Sequence, residues 1–188
     1  MRMFAALVPP QEAIEHLDAF LEPRRPAGEF RWAGVEQLHV TLAFLAEVEE
    51  RRLDDLLERL ARAGGRRTPF DVAIAGGGAF PHPARARVLW AGLDLDETGR
   101  TELDRLATGC RAAANRAGIR VDGQRFRPHV TLARIGHPAE VSSWVRLLEG
   151  YAGPPWRADR FELVASYLGE GPRGRPRYET VAELPLGR

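Results

Sequence analysis

The sequence contains no lysine, so its 27 basic residues, counted without histidine, are all arginines. These arginines are nearly balanced by 26 acidic residues, which leaves a formal net charge of +1 at pH 7. A nearly neutral chain argues against a basic coat for nucleic acid and against an acidic tail. Any anionic ligand must therefore be held by a few groups at one place.

Cysteine and long apolar runs are also scarce. The single cysteine, Cys110, excludes an internal disulfide and, without other thiols, makes a thiolate metal site implausible. The apolar amino terminus, residues 1–8, is too short to cross a membrane and is followed by two prolines instead of a signal cleavage pattern. We therefore expect a cytoplasmic protein with no membrane contact, no metal and no other cofactor, and we expect it to be a monomer.

One pentapeptide, His-Val-Thr-Leu-Ala, occurs twice, at residues 39–43 and 129–133. About half of the 188-residue chain separates the two copies. The apolar periodicity predicts the same order of elements around each copy: strand, helix, motif strand, helix, strand. We therefore predict a single domain over residues 1–188, with two similar lobes at about residues 1–84 and 85–188.

The predicted elements follow from the spacing of apolar residues along strands and helices. A run of three glycines, residues 76–78, is expected to end the strand that starts at Phe70, and Gly118 is expected to end a long helix. Strands are predicted at about residues 3–8, 30–32, 38–45, 70–75, 88–93, 128–135, 161–168 and 178–184, and helices at about 11–21, 49–63, 98–117 and 139–150. This order predicts an α+β or α/β domain, with the two motif strands as neighbours across a pseudo-twofold axis.

The repeated motif brings two imidazoles and two hydroxyls together. Residues i and i+2 of a strand share a face, so His39 and Thr41 point one way while the apolar residues between and after them point the other. His129 and Thr131 have the same relationship in the second copy. If both apolar faces enter the lobe cores, the four polar groups converge on a cleft between the lobes.

Two histidines without carboxylate or thiolate companions suit reciprocal proton transfer, one as general base and the other as general acid. A threonine hydroxyl beside each can donate a hydrogen bond to a phosphoryl oxygen, so the group suits cleavage of a phosphodiester without a metal. For one copy alone, an ordinary strand with a surface histidine is the simpler interpretation, but duplication in matching contexts favours the catalytic one. A zinc site is a further alternative, although neither copy has the histidine pair at i and i+4 or the cysteines that zinc prefers.

These residues resemble the two-histidine phosphoesterases, a family defined by two His-hydrophobic-Thr-hydrophobic motifs, and within it the RNA 2′,3′-cyclic phosphodiesterases, formerly called 2′-5′ RNA ligases. The resemblance extends over nearly the whole chain, and its segments are specific in combination. It is carried by residues 1–7, Trp32, residues 36–45, Glu47 with Val48, residues 87–92 and residues 126–134.

The resemblance implies two pseudo-symmetric lobes of mainly antiparallel sheet with outer helices and an active-site cleft between them. It also implies hydrolysis of a 2′,3′-cyclic phosphate, on an RNA 3′ end or a nucleotide, to the 2′-phosphate without a metal or cofactor. By this analogy His129 is the general base that activates water and His39 is the general acid that protonates the departing 3′ oxygen, although the two roles can be exchanged. Thr41 and Thr131 would hold phosphoryl oxygens.

Phe44 and Arg134 each lie five residues after a motif histidine, where the resemblance implies a base-stacking aromatic and an arginine that contacts the phosphate or base. Regular alternation places both side chains on the core face of their strands instead. An unpaired arginine cannot remain there, so either the strand bulges or ends near Arg134, or Arg134 forms a buried ion pair. If the strand already begins at Arg127, its guanidinium shares the face of His129 and could pair with a phosphate. The alternative is a solvated loop arginine before Pro128.

Trp32, Tyr178 and the arginine-rich loop 173–177 are further candidates for RNA contacts, with core packing and a plain surface loop as the alternatives. Two other kinds of function stay open. A module that binds nucleotides or RNA ends would use the same four groups to hold a phosphate without turnover. Other two-histidine activities are 2′-5′ RNA ligation and hydrolysis of cyclic phosphates on ADP-ribose derivatives.

Overall fold

The computed structural model describes residues 1–187 and consists of a nine-stranded sheet with four α-helices. The strands are β1 (Met3–Leu7), β2 (Arg31–Trp32), β3 (Val40–Leu45), β4 (Phe70–Phe80), β5 (Ala86–Asp94), β6 (Val130–Ala139), β7 (Trp156–Ala158), β8 (Arg160–Tyr167) and β9 (Arg177–Pro185). The helices are α1 (Gln11–Leu21), α2 (Leu53–Gly65), α3 (Glu97–Arg116) and α4 (Ser142–Glu149). None of the helices within residues 1–187 is long and apolar enough to cross a membrane.

The sheet runs in the order β7-β4-β5-β6-β3-β1-β8-β9, and the short β2 pairs with β6. The pairings between these strands are antiparallel, so the predicted α+β fold class with a mainly antiparallel sheet is confirmed. The two motif strands, β3 and β6, are neighbours at the centre of the sheet, where Val40 pairs with Val130. The sheet curls into a half-barrel.

The two sequence repeats exchange their last strands. The repeats β1-α1-β3-α2-β4 and β5-α3-β6-α4-β8 follow the predicted order, and within each repeat the first strand pairs with the motif strand. However, β4 pairs with β5 and β8 pairs with β1, so each side of the sheet contains strands from both repeats. The division proposed at residues 84 and 85 falls in the turn that joins β4 to β5. The short turn between β4 and β5 favours pairing of the two strands that it joins, across the repeat boundary.

Side chains of the inner strands alternate between two apolar clusters, because successive residues of a strand point to opposite faces. On β1, Met3, Ala5 and Leu7 join the main core, whereas Phe4 and Ala6 join a small cluster on the other face. The main core contains residues of all four helices, among them Leu17, Leu56, Leu60, Leu103, Leu106, Cys110 and Leu148. The helices therefore cover one face of the sheet, and the face that carries the small cluster is left for the site.

The fourth strand differs from its prediction. It continues through the glycine run to Phe80 instead of ending at Gly76. Gly77 and Gly78 pair with β5, and a Cβ on Gly77 would lie only 2.6 Å from Leu148 of α4. The glycines thus allow neighbouring groups to approach a continuous strand closely, and they do not form a turn here.

The second motif strand also runs further than predicted. It extends to Ala139, which pairs with Ala86 of β5. Helix α4 therefore begins at Ser142 and not at Ala139. Pro138, on this extension, lies beside the turn between β4 and β5.

Candidate active site

His39 and His129 directly precede β3 and β6, the two central strands. Nδ1 of His39 lies 2.7 Å from the carbonyl oxygen of Gln37, and Nδ1 of His129 lies 2.6 Å from that of Arg127. A carbonyl oxygen can only accept a hydrogen bond, so each Nδ1 carries a proton. In a neutral ring, Nε2 is then unprotonated and accepts hydrogen bonds. The same tautomer is therefore imposed on both histidines by the chain two residues before them.

The threonines lie on the same sheet face as the histidines. Nε2 of His39 is 2.9 Å from Oγ1 of Thr41. Thr131 pairs with Trp90 of β5, whose ring centroid lies 6.0 Å from that of His129. We call the sheet face that carries His39, Thr41, His129 and Thr131 the histidine face.

Each motif strand contains a bulge three residues after its histidine. The register between β1 and β3 skips Leu42, and the register between β5 and β6 skips Leu132. An extra residue in one strand reverses the alternation of the side chains beyond it. Phe44 and Arg134 therefore join the histidine face: Phe44 packs against Phe4 in the small cluster, and Arg134 is exposed. Of the alternatives for Arg134, the structure shows a bulge, two residues before it, and the other motif strand has a counterpart beside Phe44.

Aromatic rings enclose both imidazoles. Phe4 stacks on His39 with the ring centroids 4.5 Å apart, and Tyr178 meets His39 edge-on at 5.7 Å. Phe80 lies 4.9 Å from His129, with the two ring planes perpendicular. These contacts hold the ring planes in place and leave both imidazoles half-buried.

Burial is the largest cause of the lowered pKa values of both histidines. It lowers the pKa of His39 to about 4; the hydrogen bond to Gln37 opposes this shift, and the charges of His129 and Arg134 add to it. The pKa of His129 is also lowered by burial, against the hydrogen bond to Arg127 and together with the charge of Arg134. Both rings are therefore mainly neutral at pH 7, and an anion bound between them would raise both pKa values.

Arg134 contributes a positive charge to the histidine face. It acts electrostatically on both His39 and His129, although less strongly than burial does. Among residues 1–187, no carboxylate lies within ion-pair distance of its guanidinium. Its charge is consequently available to an anionic ligand.

The remaining sequence candidates lie in different places. Arg127 is exposed in the loop before β6, with its guanidinium 5.9 Å from the ring of Phe80. Tyr178 contacts His39, whereas Trp32 packs against two other aromatic rings beside the main core. The sequence reasoning missed Phe80, because the strand that carries it was predicted to end at the glycine run.

The arginine-rich loop before β9 is largely neutralised by acidic side chains. Arg175 lies 3.8 Å from a carboxylate oxygen of Glu36, and Arg177 lies 3.5 Å from one of Glu170. The guanidinium of Arg177 also covers the ring of Tyr167, with 4.2 Å to the ring centroid. This loop is therefore a poorer attractor of phosphate than Arg134.

Within residues 1–187, the His, Cys, Asp and Glu side chains form no group of three or more that could hold a metal ion. The histidine face carries two imidazoles with fixed tautomers, two hydroxyls and a guanidinium. Imidazoles can give and take protons, and hydroxyls and a guanidinium can bind an oxyanion. The arrangement is thus suited to acid-base chemistry on an anionic group.

Comparison with known proteins gives consistent results over most of the chain. A protein-family model described as LigT like Phosphoesterase matches residues 7–90 and 93–173. The chain is 34% identical over 169 residues to the RNA 2′,3′-cyclic phosphodiesterase of Archaeoglobus fulgidus. This alignment covers 89% of this chain and 92% of that protein. It is 32% identical over 192 residues to the protein of the same name from Thermus thermophilus, and this alignment covers 99% of this chain and 90% of that protein.

Solved structures share the complete fold. A crystal structure of a Thermus thermophilus protein superposes with a TM-score of 0.79 at 32% identity and covers the whole of both chains. The crystal structure of E. coli LigT complexed with 3′-AMP superposes with a TM-score of 0.77 at 27% identity, over 100% of this chain and 98% of that one. The similarity in sequence and in structure therefore includes both motif strands.

Proposed function

This chain belongs to the LigT-like phosphoesterase family, and from that premise we propose that it is an RNA 2′,3′-cyclic phosphodiesterase. The reaction is hydrolysis of a 2′,3′-cyclic phosphate, at the 3′ end of RNA or on a nucleotide, to the 2′-phosphate. The observation that carries the proposal is the pair His39 and His129, held in the same tautomer on one sheet face with Arg134 acting on both. The catalytic groups are imidazoles, hydroxyls and a guanidinium, so the reaction uses no metal ion.

The substrate phosphate binds to the centre of the histidine face. Arg134 pairs with one non-bridging oxygen, and the hydroxyls of Thr41 and Thr131 donate hydrogen bonds to the phosphoryl group. Phe44 contacts the nucleoside; its ring carries the guanidinium of Arg2 at 4.4 Å, and the pair offers a flat surface to a base. All of these groups come from one chain.

The chemical step transfers one proton at each histidine. Nε2 of His129 takes a proton from water as the water oxygen attacks phosphorus. The bond from phosphorus to the 3′ oxygen breaks, and Nε2 of His39 donates a proton to that oxygen. The bond to the 2′ oxygen is retained, so one water is consumed and a 2′-phosphate is formed. The negative charge of the bound phosphate raises the pKa of His39, which supplies the protonated acid.

The test is the hydrolysis of adenosine 2′,3′-cyclic monophosphate, with the product identified by phosphorus NMR. We expect adenosine 2′-phosphate, no effect of EDTA, and a loss of roughly 10²- to 10⁴-fold in kcat for His39→Ala and for His129→Ala. A 3′-phosphate product would contradict the assignment of the leaving oxygen, and full activity in either variant would contradict the proposal. A ligand-dependent thermal shift without turnover would instead indicate a binding module.

A further inference from the structure

An open cavity of about 420 Å³ adjoins the histidine face. It lies at the turn between β4 and β5, next to the extension of β6. The half-buried Phe80 and Val88 form its apolar floor. Its rim is formed by exposed residues and is basic at the two arginines: Pro81, His82, Arg85, Arg87 and Pro138. Among residues 1–187, no acidic side chain lines it.

Two residues connect this cavity to the proposed catalytic centre. The ring of Phe80 lines the cavity and also lies 4.9 Å from the ring of His129. Val88 lines the cavity and pairs with Arg134 across β5 and β6. A ligand that occupies the histidine face can therefore continue into the cavity without crossing another element.

The charge around the cavity is not neutralised. Arg85 and Arg87 are exposed, and among residues 1–187 neither has a carboxylate within ion-pair distance. Arg127 adds a guanidinium 5.9 Å from the ring of Phe80. On the side of His39, Arg175 and Arg177 are paired with acidic side chains, and the guanidinium of Arg2 lies over the ring of Phe44. The unpaired guanidinium groups beside His129 therefore attract a polyanion from the histidine face towards the cavity.

The chemistry of the proposed substrate fixes which part of RNA reaches this cavity. A 2′,3′-cyclic phosphate uses both the 2′ and the 3′ oxygens, so the RNA chain continues only from the 5′ oxygen of the terminal nucleoside. We propose that the cavity binds the nucleotide on the 5′ side of the cyclic end, with its base on the apolar floor at Phe80 and its phosphodiester between Arg85 and Arg87. This inference rests on the proposed function and identifies its preferred substrate as an RNA end of at least two nucleotides.

The test compares three substrates that differ only on the 5′ side. These are adenosine 2′,3′-cyclic phosphate, the same nucleotide with a 5′-phosphate, and the dinucleotide ApA with a 2′,3′-cyclic phosphate. The nucleotide with a 5′-phosphate measures the contact of that phosphate with the arginines alone. The dinucleotide also measures the contact of the second base with Phe80. The test variant is the double variant Arg85→Ala with Arg87→Ala. Its matched control is Arg100→Ala with Arg105→Ala, two exposed arginines that line a different cavity.

In the wild-type protein we expect kcat/KM to be roughly tenfold higher for the dinucleotide than for the mononucleotide, about the effect of one charge-assisted hydrogen bond. Substitution of Arg85 and Arg87 should abolish this ratio and leave the mononucleotide rate unchanged. The control variant should keep both values. The kcat/KM for the dinucleotide should also fall more steeply with salt concentration than that for the mononucleotide. The slope of log kcat/KM against log salt concentration should be steeper by roughly 0.7 for each phosphate contacted, and only when Arg85 and Arg87 are present.

A ratio near one in the wild-type protein, or one that survives the substitution of Arg85 and Arg87, would overturn the inference. Thermal unfolding of each variant checks that the fold is retained. If none of the three substrates is hydrolysed, the proposed function has failed, and the cavity is then tested by calorimetric Kd values for the corresponding 2′-phosphates. Equal Kd values for the mononucleotide and dinucleotide products would overturn the inference on its own.

Discussion

The carbonyl oxygen of Gln37 lies 2.7 Å from Nδ1 of His39, and the side chain of the same glutamine is held at both ends. Its Oε1 accepts a hydrogen bond of 3.1 Å from the backbone N–H of Gly34, and its Nε2 donates one of 3.1 Å to the carbonyl oxygen of Pro176. Gln37 is one of the few buried polar residues of the fold. A buried amide thus ties the segment that orients His39 to the loop that leads to Tyr178.

Replacement of Gln37 by Ala should therefore impair the orientation of His39. The change leaves the Gly34 N–H and the Pro176 carbonyl without their partner, which costs about 1–3 kcal/mol of unfolding free energy for each group that stays buried and unpaired. We expect kcat to fall more than KM rises, because the residue positions a proton donor and does not touch substrate. Urea unfolding and steady-state kinetics measure the two effects.

A histidine-specific readout separates positioning from simple destabilisation. The hydrogen bond to the backbone carbonyl of residue 37 raises the pKa of His39. Alanine keeps this carbonyl but releases the segment that holds it, so the hydrogen bond should weaken and the pKa of His39 should fall further in an NMR titration. Gln11→Ala, on the exposed surface of α1, is the matched control and should change neither kcat nor the titration. An unchanged titration of His39 in Gln37→Ala would contradict the positioning role.

The roles of the two histidines are separable with a sulfur leaving group. A substrate with sulfur in place of the 3′ oxygen releases a thiolate, which needs no proton from a general acid because thiols are far more acidic than alcohols. We expect His39→Ala to hydrolyse this substrate at close to the wild-type rate, while His129→Ala remains inactive. Rescue of His129→Ala alone would show that the two roles are exchanged.

The pH dependence should have its maximum on the acidic side. The value of kcat/KM follows the free enzyme and is largest when one proton is shared by the two histidines. The pKa of His39 is about 4, and that of His129 lies below its ordinary value of 6.5. We therefore expect a bell-shaped profile with its maximum between these two limits, measured from about pH 4 to pH 9 with a cyclic mononucleotide.

Arg134→Gln should move this maximum to higher pH. The arginine charge lowers the pKa values of both histidines, so its removal raises both, while the loss of a phosphate contact lowers kcat/KM. Arg66→Gln removes an exposed arginine elsewhere and should leave the profile unchanged. A maximum that stays in place in Arg134→Gln would contradict the electrostatic coupling.

Gly78→Ala should disturb His129 from a distance. A Cβ at this position would collide with the indole ring of Trp90, which lies beside His129. We expect a loss of about 1–3 kcal/mol in unfolding free energy, as for other overpacked sites, and a lower kcat. Gly65→Ala is the control, since open space surrounds its Cβ position. Wild-type kcat in Gly78→Ala would show that Trp90 does not support the site.

The local pattern of the sequence was sufficient for most of the elements and for the four polar groups of the motifs, but it did not predict the short strand β7. Helices α2 and α3 follow from leucines at helical spacing, and β3 and β6 follow from alternation, because both periodicities are properties of a few consecutive residues. The repeat, and the rule that residues i and i+2 of a strand share a face, were enough to predict that the motif side chains are neighbours. These are His39, Thr41, His129 and Thr131. The resemblance to a family added Phe44 and Arg134 to the predicted site, although regular alternation places both side chains on the core face.

Only the tertiary structure decided how these pieces combine. The bulges at Leu42 and Leu132, which turn Phe44 and Arg134 to the histidine face, are register shifts between strands and leave no local signal. The exchange of β4 and β8 between repeats likewise depends on pairing between distant segments. So do the contacts of Phe80 with His129 and with the basic cavity. Strand register is set by the packing of both partners, and one strand's sequence contains only half of that information.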